Sequence, residues 1–412
     1  MHQILKYPYI ITMYDIIIIG GGIAGLYCAY RVLKKHPETK ILILEAEMHL
    51  GGRAGSIPFH GVNILSGAGV GRKEKDKRLI SLLRDLGLSS PEFPVKPNYA
   101  TTVNPVCKLK KDIMELRKRY LSKIHRFMTF KEFATSILGP EEYTNFVICS
   151  GYTDYENEDA YGTLYHYGFD DNYADWTAIG VSWTELIKKM VDKIGKRNIL
   201  LSHKVSKIED LRRVVCENGK TFDSKTIILA TTIDSVLRLV PGANSKQSPY
   251  QQIHGQPFLR VYGQFSKESI PIMKRVCPFT TVVPGPLHKI IPMNPDKGVY
   301  MIAYTDNKDS KILDKYSENT EKNRNVLCRL MEIAFDLETG CLSLLDMKDF
   351  FWPIGTHYYA PLNGNDQDRV EFIKNAQRPT NNVFIVGEMI SLNQGWVEGA
   401  LESVENILPD IL

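Results

Sequence analysis

Three glycines, an acid and an arginine near the start of the chain have the types and spacing to hold a dinucleotide. Gly20, Gly22 and Gly25 form a G-x-G-x-x-G array behind an apolar run at 16–19, and helix-favouring sequence opens at Ile23 and Ala24. A strand that feeds such a turn and then a helix offers the helix's unpaired N–H groups and positive dipole end to a pyrophosphate. Gly20 allows the tight turn, Gly22 lets backbone approach the phosphates, and Gly25 lets the helix lie close to the sheet. A second apolar run at 41–44 ends at Glu45, an acid about 20 residues beyond the glycines, where a ribose hydroxyl is read. Gly51-Gly52-Arg53-Ala54-Gly55 follows, and the planar fork of Arg53 suits phosphate oxygens.

Positioning these residues requires a βαβ unit over 14–45. The pattern predicts a further helix over 75–86, and the Pro-rich stretch 91–105 is the first exit towards another domain. Leu186, Ile187, Met190 and Ile194 have helical spacing, and residues 226–230 read as a buried parallel strand. Val397, Ala400, Leu401, Val404, Ile407 and Leu408 share one helical face, so a helix closes the chain.

The G-G-R segment and a second block, Val386-Gly387-Glu388 with Gln394-Gly395-Trp396-Val397-Glu398-Gly399-Ala400, resemble the flavin-containing amine oxidases, the monoamine and polyamine oxidase family. The middle stretch from Val181 through Val205 to Thr231 resembles that family's internal FAD-domain segment. The resemblance covers roughly 14–88, 182–241 and 345–408. It implies an α/β fold: a Rossmann-type, glutathione-reductase-like FAD-binding domain with an inserted α+β substrate domain on a mixed or antiparallel sheet. The expected division is 14–88, 182–256 and 376–412 for FAD, 89–181 and 257–375 for substrate, and 1–13 as an N-terminal extension. Implied FAD contacts are Gly20, Gly22, Ile23, Ala24, Gly25, Glu45, Ala46, Gly52, Arg53, Gly67, Ala68, Val205, Gly387, Glu388, Trp396, Val397 and Ala400.

Trp396 stands where the family places one ring of an aromatic pair that sandwiches the substrate amine. The other ring falls nearest His357 in Gly355-Thr356-His357-Tyr358-Tyr359, with Tyr358 or Tyr359 reached by a small shift. Thr356 replaces a cysteine that monoamine oxidases bond to the flavin, so FAD is expected to be non-covalent. Arg260, in the apolar run 258–265, replaces a lysine that the family keeps beside flavin N5. Arginine stays charged and cannot act as a base near neutrality. It is left with fixing a water or binding a substrate carboxylate.

The implied activity is hydride transfer from an amine carbon to FAD, giving an imine, with O2 returning the flavin to its oxidised form and yielding H2O2. A polyamine or monoamine is the expected substrate. An L-amino-acid oxidase, a desaturase-like flavin dehydrogenase, and a weakly catalytic flavin-binding scaffold or packaged structural protein remain open. Asp154, Glu156, Glu158, Asp159, Asp170, Asp171 and Asp175 make 152–176 acidic, either an entrance that attracts polycations or a solvated surface. Residues 108–126 carry eight lysines and arginines, with Ile113, Leu116, Tyr120, Ile124 and Phe127 on one stripe. This predicts an amphipathic basic helix, a solvated face or a contact for nucleic acid or an acidic partner.

At 412 residues with 43% hydrophobic content the chain can build about two domains. A net charge of +4 excludes no partner class. Seven cysteines without a C-x-x-C pair argue against a disulfide framework or a structural zinc and suit a reducing cytosol. No run reaches the ~18 apolar residues of a membrane span, and the first 13 residues do not read as a secretory signal. The usage, rich in Lys, Asn, Ile and Tyr, resembles that of an AT-rich microbial or large-DNA-virus genome.

Overall fold

The isoleucine run behind the glycine turn becomes the centre of a seven-stranded sheet. In a computed structural model, which describes residues 13–103, 107–362 and 365–412, β1 (Met13–Ile19) pairs in parallel with β2 (Ile41–Leu44) on one side. On its other side it pairs in parallel with Thr221–Leu229, bringing Ile17 opposite Ile227. Val383–Ile385 extends the parallel pairing beyond that strand, and Ile199–Leu200 does so beyond β2. Arg213–Cys216 and Val205–Glu209 add an antiparallel edge. Strands buried on both faces need apolar residues throughout, which is why this one reads as a continuous run rather than an alternation.

Both faces are covered. Ile16 and Ile18 pack with α1 (Ile23–Lys35), the helix Trp183–Ile194 and the last helix, Val397–Ile411. Ile17 and Ile19 pack on the opposite face with Val236, Leu239 and Ile385. The 75–86 pattern forms α2 (Lys77–Asp85) beside the last helix. Residues 1–12, most of the expected N-terminal extension, lie outside the described residues; its last member, Met13, opens β1.

A second, five-stranded antiparallel sheet runs Thr281–Val282, Lys289–Asn294, Val299–Asp306, Ile253–Phe265, Leu344–Tyr359. One face, through Leu259, Val261 and Ile302, buries a helical lobe that contributes Ile113, Leu116, Phe130, Phe133, Phe146 and Phe169. The other carries Tyr262 and Met301 against Phe59 and Ile64 of a hairpin that follows the G-G-R loop.

Two expectations are corrected here. The basic stretch is not one helix: α3 (Leu109–Arg119) stops at an extended Tyr120, and α4 is the single turn Ser122–His125. Ile113 and Leu116 are buried, but Ile124 and Phe127, expected on the same stripe, are 65% and 63% exposed. The cysteine argument also fails, because Cys107 and Cys149 form a disulfide across 42 residues while five cysteines stay free. Packing of α3 on the helix Pro140–Ser150 brings their Cα atoms to 5.6 Å, a meeting that no local motif announces. With that bridge present, the cysteines no longer point to a reducing compartment. Among the described residues no helix is long and apolar enough to cross a membrane.

Candidate active site

The glycine turn is built as a cradle. Gly20 sits at φ +111°, and a Cβ there would collide with the Ala230 carbonyl oxygen. A Cβ on Gly25 would strike the Gly20 carbonyl, so α1 rests directly on the turn. Gly22 differs: nothing lies within 4 Å of where its Cβ would be, and it precedes Ile23 and Ala24 with no side chain capping α1. The first N–H groups of a helix lack intrahelical partners, so this end offers free donors beside open space. The Glu45 carboxylate stands alongside, just before Ala46, accepting the Gly21 N–H at 2.6 Å and the Glu47 N–H at 2.8 Å. The G-G-R loop lies on the same turn, with the Gly51 N–H donating to the Gly21 carbonyl and Gly52 at φ +56°.

Arg53 ties this loop to the other end of the chain. Its Nη1 donates to Glu388 Oε1 at 2.7 Å and to the Gly355 carbonyl at 2.8 Å. The Ala68 N–H closes on the Arg53 carbonyl, and Gly67 lies so near it that a Cβ would collide. Glu388 also accepts the Gly395 N–H at 3.0 Å and lies 2.5 Å from His357 Nδ1. Burial opposes a charge on Glu388, but His357, Arg53 and the Gly395 N–H outweigh it and hold the carboxyl at about 2. Gly387, at φ +132°, donates its N–H to Ser403 Oγ. Val205 is buried at its strand's start, and Val397 and Ala400 occupy the first turn of the last helix, which begins at Trp396 without a side-chain cap.

The expected aromatic pair takes a different form. The Ile233 N–H reaches His357 Nε2 at 3.3 Å, so the ring proton sits on Nδ1 and goes to Glu388. Both nitrogens are committed, and the ring orients the carboxylate instead of standing open. One face of Trp396 is covered by the Arg72 guanidinium, 3.7 Å from the ring centroid, and Arg72 is held by Asp76 and Asp171. Tyr359 belongs to the core: it is fully buried against Phe372, and its hydroxyl donates to the Ser391 carbonyl at 3.1 Å. Tyr358 stacks on His254. A one-residue shift along a strand reverses the face a side chain meets, which is why neighbouring tyrosines were not interchangeable.

Arg260 is buried on the second sheet, with Nη2 donating to the Tyr304 hydroxyl at 3.1 Å and the guanidinium 4.5 Å above that ring's centroid. Its Nη1 has no partner, and among the described residues it meets no carboxylate. Tyr304 packs edge-on to Tyr152, whose face holds Lys289 Nζ at 3.4 Å from the centroid. Burial pushes the Lys289 ammonium down to about 7, against the pull of Asp154 and Asp306. The sequence reading missed Lys289; its one signal is a lysine opening an apolar strand.

The acidic run is not an open funnel. Glu158 and Asp159 bind Arg369; Asp170 and Asp171 bind Lys75; Glu156 pairs with Lys131 and Asp175 with Lys96. Of the seven carboxylates only Asp154 has no ion pair among the described residues.

A family profile described as flavin containing amine oxidoreductase matches residues 108–405, and one described as an NAD(P)-binding Rossmann-like domain matches 18–86. The chain belongs to the flavin-containing amine oxidoreductases. An uncharacterized protein of Acanthamoeba polyphaga mimivirus is 21% identical over 96% of this chain and 93% of its own. Amine oxidase A of Equus caballus is 37% identical over 78 residues, only 14% of that protein. Among solved structures, wild-type putrescine oxidase bound to putrescine superposes with TM-score 0.73 at 14% identity, covering 97% of this chain and 99% of that one. Cyclohexylamine oxidase from Brevibacterium oxydans gives 0.73 at 16% identity with the same coverages. At such identities the likeness is one of fold. This amine oxidoreductase thus combines its family's fold with an arginine where a lysine was expected and a histidine already hydrogen-bonded to a carboxylate.

Proposed function

We propose that this oxidoreductase binds FAD non-covalently and oxidises a small amine, a polyamine or a monoamine, with O2 as electron acceptor. The observation that carries the reading is the meeting of the glycine cradle, open at Gly22, with Arg53 and Glu388 from opposite ends of the chain. FAD, when bound, supplies the hydride acceptor that turns an amine CH–NH into an imine, and O2 then takes the electrons to give H2O2. The chain's own residues bind and orient. The N-termini of α1 and of the last helix supply donors and positive dipole ends suited to phosphate and to an electron-rich ring. Glu45 is aimed by two backbone N–H groups and keeps lone pairs for a ribose. Thr356 offers no thiol, which supports reversible binding. The packed rings of Tyr152 and Tyr304 exclude water beside Arg260.

Arg260 favours a second reading, an amino-acid oxidase. A buried guanidinium without a counter-charge is costly, and a substrate carboxylate would satisfy its free Nη1. One experiment separates the two readings: anaerobic bleaching of the flavin absorbance by spermine, benzylamine and leucine in turn, then admission of air. Bleaching by an amine, with colour and H2O2 returning in air, is the expected result. Bleaching by leucine alone would transfer the proposal to amino acids. A yellow protein that none of them reduces would leave the scaffold reading. A protein unable to take up FAD would overturn the proposal. Release of intact FAD on acid precipitation tests the non-covalent claim.

A further inference from the structure

We propose that the cavity between Asp154, Gln256 and Gln394 is a subsite for the second, non-reacting ammonium of a diamine substrate. The inference rests on the amine-oxidation reading and narrows its substrate class. The cavity measures about 30 Å³, room for one water or one ammonium head, and Thr356, His357 and Gly395 of the candidate active site also line it.

Its walls present acceptors. Gln256 is 4% exposed, and its Nε2 donates to the Asp154 carbonyl at 2.8 Å and to Thr356 Oγ1 at 3.1 Å. That fixes the amide's orientation and leaves Oε1 buried without a partner. Gln394 repeats the arrangement: Nε2 is spent on the Met389 carbonyl, and Oε1 has no donor. Asp154 receives the Tyr167 hydroxyl on Oδ1 at 2.6 Å, and no hydrogen bond among the described residues reaches Oδ2. Arg369 borders the far end, but Glu158 and Asp159 hold its guanidinium at 3.0 and 2.6 Å, leaving only Nε unpaired. Unmet buried acceptors are costly. An ammonium carries three N–H donors and no acceptor, so it matches three acceptors where a water brings only two hydrogens.

The same chemistry says which nitrogen binds. The nitrogen that is oxidised must be neutral. A carboxylate that shares a cavity with two unpartnered amide oxygens favours the charged form, so it suits the amine at the other end of the substrate. The neutralised acidic run sharpens the assignment, since Asp154 alone keeps its carboxylate outside an ion pair.

Charge linkage gives a signature. Burial, then Asp306, raises the Asp154 carboxyl to about 8, with Glu158 adding to this and Tyr167 and Lys289 opposing it. Tyr152 and Tyr155 lie beside it, and His166, His357, Tyr358 and Arg369 line the same cavity. A cation binds the ionised form, so affinity should rise with pH up to about 8 and then level off. Lys289 loses its charge above about 7, which removes a repulsion from the ligand and also a support for the ionised Asp154.

The test is calorimetric titration of 1,4-diaminobutane and of butylamine into the FAD-loaded protein. The flavin is reduced beforehand and air excluded, so that binding is read without turnover. The diamine is expected to bind at least tenfold more tightly at pH 8, with the advantage shrinking towards pH 6.5. Asp154→Asn should abolish the advantage, and Gln394→Glu, which adds a charge while losing only the Met389 contact, should enlarge it. Equal affinities at every pH, or an advantage that both variants leave unchanged, would mean the cavity holds only water and would overturn the proposal. If the diamine is preferred but never bleaches the oxidised flavin, the subsite stands and the oxidation reading falls.

Discussion

Glu388 shows how much one buried carboxylate holds together. It joins Arg53 from the G-G-R loop, His357 from the second sheet and the Gly395 N–H ahead of the last helix. Its pKa falls from 4.5 to about 2, so by linkage it contributes about 3 kcal/mol that is fully present above pH 4.5 and lost as pH falls through about 2. Glu388→Gln should therefore cost about 3 kcal/mol in urea denaturation at pH 7, and the gap to the parent should narrow at pH 3. An equal gap at both pH values would show that packing, not charge, is what the substitution removes. Arg53 and Glu388 were legible because each sits in a motif. The role of His357 was not: its residue type fits an open ring or a carboxylate partner, and only the approach of Ile233 and Glu388 decides. Lys289 and Gln256 were invisible for the same reason, since their chemistry comes from neighbours far away in sequence.

At the scale of elements, three motif glycines that read alike in sequence do different work. Gly20 and Gly25 are required by backbone contacts within the protein, whereas Gly22 has an ordinary φ of −74° and empty space where a side chain would go. Gly22→Ala should thus leave the thermal stability of the flavin-free protein unchanged or slightly raised, since alanine lowers unfolded-chain entropy. FAD affinity should fall at least a hundredfold, because the methyl fills the approach to the phosphates. Flavin titration followed by fluorescence reads one effect and a melting curve the other; undiminished affinity would remove Gly22 from the cradle. Secondary structure was legible where its period was backed by packing, as in β1 and the last helix. It failed at α3, whose apolar period continues past Arg119 although the lobe that buries Ile113 and Leu116 gives Ile124 and Phe127 no cover. Hydrophobic spacing records a preference for burial and carries no information on where the partner surface ends.

Across the whole molecule, the helical lobe builds its apolar core on the second sheet, apart from the core around the glycine cradle, while Ile253 and Tyr359 at one end of that sheet pack in a core of the first. The Rossmann-type half was readable at its first βαβ unit and at its apolar runs, although the other neighbours of those strands, Thr221–Leu229, Ile199–Leu200 and Val383–Ile385, come from distant segments. The lobe was not, because it depends on pairings between distant segments: Arg369 with Glu158 and Asp159, and Cys107 with Cys149. This separation predicts how damage should spread. A bridge closing a 42-residue separation constrains the unfolded chain by about 2–4 kcal/mol. Cys149→Ser, or reduction of the parent with a strong thiol, should lower stability by that order. Bound FAD should be retained at temperatures below the new transition, since no cradle residue packs in the lobe's core. Calorimetry with and without reductant, run alongside flavin fluorescence, tests both halves of the argument. Loss of FAD in step with the disulfide would mean that the lobe and the cradle unfold as one unit, and a transition indifferent to reductant would mean that the bridge contributes nothing to the fold.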